Sequence, residues 1–199
     1  MAEQRSLAQQ PTPKIRIRGL KKVFGDKVVL NGIDLDVRAG DHLVLLGVSG
    51  SGKTVLLKCI LGLIDADAGS VIIDGENIIE RPPVANEQLM QRIGVLFQNG
   101  ALFDSLTIWE NITFGIKDKH ALDAGEAKAI AKRKLAAVGL GSDVADLYPA
   151  EVSGGMQKRV AFARAFVINP EILLLDSPTA GLDPFLKSIV NRLMKTTIG

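Results

Sequence analysis

Eight residues restrict this chain more than any others: Gly47-Val48-Ser49-Gly50-Ser51-Gly52-Lys53-Thr54. They fit the spacing G-x-x-x-x-G-K-[ST] in full. A continuous apolar run, Leu43 to Leu46, precedes them, and an apolar helix pattern from Thr54 to Ile64 follows. The expected order is therefore strand, glycine-rich turn, helix. Glycines let a backbone wrap closely around phosphate oxygens and turn its N–H groups inward. The following helix adds the partial positive charge of its N-terminus. Lys53 supplies a cation for the outer phosphates, and the Thr54 hydroxyl can ligate Mg²⁺. A dinucleotide-binding fold is disfavoured, because its glycine pattern does not end in Lys-Thr.

The rest of the chain reads as two kinds of sheet and a helical insert. Ile15 and Ile17 alternate with Arg16 and Arg18, and Ile33, Leu35 and Val37 alternate with Asp34, Asp36 and Arg38. Both are half-buried strand patterns. Val71 to Ile73 and Asn77 to Ile79 flank Asp74-Gly75-Glu76, where Asp-Gly predicts a hairpin. These pieces make an antiparallel sheet. The uninterrupted runs Leu43 to Leu46, Val95 to Phe97 and Ile172 to Leu175 suit a parallel sheet buried on both faces. Asp123 with Glu126 opens a helix with a capping box; Ala127, Ile130, Ala131, Leu135 and Val138 share one face, and Gly139 stops it. Further helices are expected from Ser153 to just before Asn169-Pro170, and from Asp183-Pro184 onward with a stripe of Leu186, Ile189, Val190 and Leu193.

Composition removes several alternatives. With 24 basic and 22 acidic residues the net charge is only +2, which leaves no electrostatic case for nucleic acid. No apolar run approaches membrane-spanning length, so membrane association must come through a partner. Residues 1–13 are polar and lack the apolar stretch of a signal peptide, which predicts a disordered, uncleaved tail on a cytoplasmic protein. Cys59 has no second cysteine and reads as a small core residue, while His42 and His120 read as surface or turn residues.

Three further segments follow in order. Gln98 comes after the run ending at Phe97; Val152-Ser153-Gly154-Gly155-Met156-Gln157 places a serine and two glycines at a helix start; Ile172 to Leu175 ends in Asp176. A serine cap followed by glycines presents bare N–H groups and a hydroxyl to an anion. The series of phosphate loop, Gln98, Ser153-Gly154-Gly155, Asp176 and Ala180-Gly181-Leu182-Asp183 resembles the ABC ATPases over nearly the whole chain from Lys14 onward. Val152 stands where the family usually has leucine.

The resemblance implies a P-loop, RecA-like α/β core with an antiparallel β-subdomain, over 14–103 and 165–199, and an inserted helical subdomain over 104–164. It implies ATP and Mg²⁺, the metal held by Thr54, Gln98 and Asp176. Phe24 would stack on adenine, with a plain core role as its rival. Gln98 would touch Mg²⁺ or the attacking water. Ser153 and Gly155 would contact the γ-phosphate bound by a second ATPase subunit, and Asp183 would lie at the interface of that head-to-tail dimer. The segment starting at Gln98 would face an integral membrane permease. Trp109 either helps form that groove or simply packs the helical subdomain, and Tyr148 packs a loop.

Gly100-Ala101-Leu102-Phe103-Asp104-Ser105 is similar to the ATPases of MCE-associated, Mla-type lipid transporters. That similarity implies phospholipid transport, a peripheral place on the cytoplasmic face of a bacterial inner membrane, and an MCE substrate-binding protein as a further partner. Other ABC importers and soluble ABC proteins of repair or translation are the alternatives. Two departures stand out. Ser177 occupies the position where the family normally has the glutamate that polarises water. The family's switch histidine follows a further strand, and the chain ends at Gly199 before that point, as expected of a C-terminally truncated ABC ATPase domain. Losing a positioned general base costs about 10²–10⁴-fold in rate, roughly 3–5 kcal/mol of barrier. A dimerising module that binds ATP and barely hydrolyses it is therefore the main rival to an active ATPase.

Overall fold

The computed structural model describes residues 12–80, 89–117, 120–177 and Ser188. They divide into two units at Asn86/Glu87. In the first, Ile15 and Ile17 are buried in β1 (Ile15–Phe24), which pairs antiparallel with β2 (Lys27–Val37) and with β3 (Ala68–Ile73). A short β4 (Glu76–Asn77) completes the sheet in the order β2-β1-β3-β4. The alternation breaks at Gly19, which is left-handed: the register shifts between Ile17 and Leu20, and Leu20 returns to the buried face. That is the effect of a β-bulge. Asp74 and Gly75 both have positive φ, the mirror-image turn that Asp-Gly favours in a two-residue hairpin.

α1 (Lys53–Ile60) buries Leu56, Cys59 and Ile60. It is shorter than the apolar pattern suggests. Gly62 adopts φ +65°, the Leu63 N–H reaches the Lys58 carbonyl and the Gly62 N–H reaches that of Cys59. This glycine cap ends the helix and leaves Leu63 exposed.

The expected strand at Leu43 to Leu46 does not form. Residues 41–48 carry no regular structure, and Val44 and Leu46 are 74% and 90% exposed. An isolated extended run has no hydrogen-bond ladder of its own. The sheet of this unit is antiparallel and, among the described residues, offers the run no parallel neighbour.

The second unit contains the parallel pair read from the sequence, β5 (Ile93–Leu96) and β6 (Ile172–Leu175), with Ile93 opposite Ile172. Its helices include, among the described residues, α2 (Ile108–Thr113), α3 (Ala124–Ala137) and α4 (Gly154–Val167). α3 starts at the Asp123/Glu126 capping box, and α2 at a second one, Thr107/Glu110. Protonating Glu110 would break the latter, and its carboxyl is held below the usual range by the Thr107 hydroxyl and N–H. One core joins Ile108, Ile112, Ala131, Leu135, Val138, Val160 and Phe162. α4 lies so close to β5 that a Cβ on Gly94 would collide with the Ala165 carbonyl. Among the described residues no helix is long and apolar enough to cross a membrane.

Asn111 is wholly buried, and its amide organises the chain before α2. Oδ1 accepts from the Phe103 N–H at 2.8 Å, and Nδ2 donates to the carbonyls of Phe103, Leu106 and Thr107 at 3.0 to 3.1 Å. Asn111→Ala takes this partner from the Phe103 N–H and the Leu106 carbonyl, while the Phe103 and Thr107 carbonyls still accept from the N–H groups of Leu106 and Asn111. At about 1–3 kcal/mol per orphaned group, the two together should lower stability by about 2 kcal/mol or more. Urea unfolding of the second unit measures this; a loss below about 1 kcal/mol would mean water replaces the amide.

Residues 1–11 of the expected tail, the segment Ala180-Gly181-Leu182-Asp183 and, apart from Ser188, the helix expected after it lie outside the described residues.

Candidate functional site

The first unit carries the glycine loop. Gly52 is the N-cap of α1 at φ +94°, and no side chain caps the helix. The N-terminal N–H groups of α1 therefore have no side-chain acceptor from the cap position. A Cβ on Gly52 would lie 3.0 Å from the Val29 carbonyl and 3.2 Å from Leu30, so glycine is needed for space as well as for its backbone angle. Gly50 is likewise left-handed at φ +79°. Lys53 folds back over the loop: Nζ donates to the carbonyls of Gly47 at 2.8 Å and Val48 at 2.9 Å, and to Ser51 Oγ at 3.2 Å. Gly47 itself crowds Ser51 Oγ, where a Cβ would sit at 2.7 Å. Val48, Ser49 and Ser51 are exposed, and Thr54 is half-buried in the first turn of α1.

Phe24 ends β1 with its ring 47% exposed and Lys22 Nζ 5.3 Å from the ring centroid. It pairs with Lys27, and the adjacent Val23 pairs with Val28, one residue from the Val29 carbonyl that meets Gly52. The exposed ring thus stands on the hairpin that borders the loop. The exposure argues against a core role for Phe24.

The second unit carries the other candidates. β5 and β6 are neighbours, so the residues beyond their C-terminal ends emerge side by side, where open α/β sheets place ligands. Gln98 follows β5 and is exposed. Asp176 follows β6, is 4% exposed, and donates its N–H to the Leu96 carbonyl at 2.8 Å. Ser177 adopts φ +51° and its hydroxyl donates to Asp176 Oδ1 at 3.4 Å. Ser153 caps α4, accepting from the Met156 N–H at 3.3 Å. Ser153, Gly154 and Gly155 are exposed, and nothing lies within 4 Å of a Cβ on Gly154. Gln157 ties this helix start to its loop through the carbonyls of Pro149 and Val152.

His42 and His120 are exposed and Cys59 is buried, as expected; burial pushes the Cys59 thiol up. Trp109 is half-buried against the helical core with Lys117 Nζ 5.5 Å from its ring centroid. Two residues escaped the sequence reading. Asn111 lies in an ordinary helical pattern, and Arg164 in a helix of mixed polarity. Both bond to backbone groups of the loop that follows Gln98.

The family model described as ABC transporter matches residues 30–180. The probable ribonucleotide transport ATP-binding protein mkl of Mycobacterium leprae is 41% identical over 90% of this chain and 52% of its own length. Protein trigalactosyldiacylglycerol 3, chloroplastic, of Arabidopsis thaliana is 38% identical over 98% of the chain and 58% of its own length. The chain therefore spans about half the length of such curated relatives. The glutamine transport ATP-binding protein GlnQ of Escherichia coli is 40% identical over 91% of the chain and 75% of its own length. Among solved structures, a dimeric ATP-binding cassette in a post-hydrolysis state with ADP and Pi matches with a TM-score of 0.83 and 28% identity, over 92% of this chain and 83% of that one. With the glycine loop, the paired strand ends and the serine-capped helix all in place, the chain belongs to the ABC transporter family and carries its ATP-binding domain.

Proposed function

We propose that this chain is the ATP-binding and ATP-hydrolysing subunit of a transporter that moves phospholipid across a bacterial envelope. The observation that carries the nucleotide part is the loop closed on Lys53. An ammonium already held by two carbonyls and a hydroxyl can exchange them for β- and γ-phosphate oxygens without the loop being rebuilt. Phe24 would stack on the adenine. Thr54, Gln98 and Asp176 would hold Mg²⁺, which neutralises charge developing on the phosphates. Among the described residues no three of His, Cys, Asp and Glu converge, but Mg²⁺ bound mostly by phosphate and water needs only one or two carboxylates.

In this reading Gln98 orients the water that attacks the γ-phosphate in line, while Lys53 offsets charge on the phosphoryl oxygens. Ser153, Gly154 and Gly155 offer their hydroxyl and N–H groups to nucleotide held by the other subunit, with Asp183 at the same interface. A dimeric cassette among the structural matches supports this arrangement.

The permease would dock on the segment from Gln98 to Ile112, which exposes Phe103, its ring tilted against that of the exposed Phe114 with the centres 4.6 Å apart. The place would be the cytoplasmic face of the inner membrane, with an MCE protein as a further partner. Support for lipid comes from the Gly100 to Ser105 run and from a relative named for a glycolipid. Relatives named for ribonucleotide and glutamine transport define the alternatives.

A photo-cross-linker at position 103 should capture a cytoplasmic helix of the permease. Phosphate release by the complex in nanodiscs should rise with phospholipid supply and not with glutamine or ribonucleotide. Cross-links confined to the antiparallel sheet would refute the docking, and stimulation by a small solute would refute the lipid. Ser177 favours one other reading, a subunit that dimerises on ATP and hydrolyses it poorly.

A further inference from the structure

We propose that Arg164 is a positioning residue for Gln98: it fastens the turn after Gln98 to the helix that begins at Ser153. The inference rests on the roles given above to Gln98 and Ser153.

The chain leaves β5 at Leu96, turns through Phe97–Gly100, and closes the turn with a Gly100 N–H to Phe97 carbonyl bond of 2.9 Å. Gln98 and Asn99 are exposed, whereas Gly100 is buried. Gly100 and Ala101 are then both left-handed, at φ +73° and φ +47°. Alanine pays a steric cost there that glycine does not. Something must hold it, and Arg164 is placed to do so. Its Nη2 donates to the Gly100 carbonyl at 2.6 Å and its Nη1 to the Ala101 carbonyl at 2.8 Å. The guanidinium carbon also lies 5.9 Å from the centre of the Phe103 ring.

The turn is seated on α4 as well as bonded to it: a Cβ on Gly100 would be 3.2 Å from the Ala161 methyl. A planar fork with two parallel N–H groups matches two neighbouring carbonyls; an ammonium is a point charge and does not. α4 runs without a break from its Ser153 cap past Arg164, a span of about 16 Å at about 1.5 Å per residue. Further along, Ala165 meets Gly94 of β5. A shift at the serine–glycine end is therefore carried along a single rigid helix to the turn that presents the glutamine, and so couples the two.

Hydrogen exchange on the full chain tests this, comparing peptides over 97–107 with α3 (124–137) as reference. Without nucleotide, Arg164→Met should speed exchange in 97–107 by about tenfold or more, as expected for losing charge-assisted bonds, and leave 124–137 unchanged. Arg164→Lys should recover only part of the protection. With a fluorescent, non-hydrolysable ATP analogue and Mg²⁺, the wild-type loop should change its exchange. The Met variant should lose that response while keeping its affinity within about threefold, because Arg164 does not touch nucleotide. Unchanged exchange in 97–107, or equal acceleration in both segments, would overturn the proposal. Should Arg164→Met not fold, Gly100→Ala disturbs the same turn with Arg164 intact, and failure to accelerate 97–107 would again overturn it. A wild-type chain that binds no nucleotide would defeat the proposed function and leave the nucleotide-free comparison standing.

Discussion

Lys53→Ala abolishes measurable binding of a fluorescent ATP analogue in a chain that still folds. The side chain is the only cation whose hydrogen bonds in the described structure close on the glycine loop, through the carbonyls of Gly47 and Val48. In the proposed role those bonds go to phosphate oxygens in the complex. Charge-assisted hydrogen bonds are worth about 1.5–3 kcal/mol each, so losing two weakens binding by about 100-fold or more. Folding should survive. Lys53 is the first residue of α1, its contacts stay within the loop, and alanine is the best helix former available. Fluorescence titration with circular dichroism as the folding control gives both readouts. Near wild-type affinity in a folded variant would remove the phosphate-loop assignment altogether.

Hydrolysis by the unmodified chain is expected to be slow, and Ser177→Glu to raise it. A hydroxyl cannot take a proton at neutral pH as a carboxylate does, and a well-placed base is worth about 10²–10⁴-fold. The gain should fall near the lower end of that range for two structural reasons. Position 177 sits at φ +51°, which glutamate tolerates poorly, and it adjoins the buried Asp176, whose charge opposes a second one. Affinity for ATP should hardly change, since the binding groups are untouched. Phosphate release per dimer, with and without the permease, decides it. Brisk turnover at Ser177 with no gain from glutamate would show that another residue acts as the base.

Much of this architecture is legible in the sequence wherever a local rule acts alone. Alternation at Ile15 and Ile17, the Asp74-Gly75 turn, the Asp123/Glu126 cap and the Ser153 cap each depend on residues within one turn or strand, and each appears as read. The glycine loop is legible because its chemistry fixes its spacing. What the sequence hides depends on distant backbone. The bulge at Gly19 is coupled to Gly69, whose Cβ would run into the Arg18 and Gly19 carbonyls. Leu43 to Leu46 reads as a strand because apolar composition cannot report whether a ladder partner is beside it. Asn111 and Arg164 look like surface residues of helices until the loop from Gly100 to Thr107 folds back onto them. Asp183 lies outside the described residues.

β1 meets β2 across a two-residue turn but meets β3 only when Ile15 finds Ile73, and the whole glycine loop lies between those partners. Hairpins of the first kind form in about 1–10 μs. Closing the longer excursion carries an added entropic cost that grows with its length. On a ribosome the sheet beneath the cradle therefore cannot close until Ile73 has emerged, well after Lys53 itself. Nucleotide that recognises only the finished loop arrives downstream of the folding barrier. It acts by slowing unfolding of this unit and does nothing to hasten its assembly.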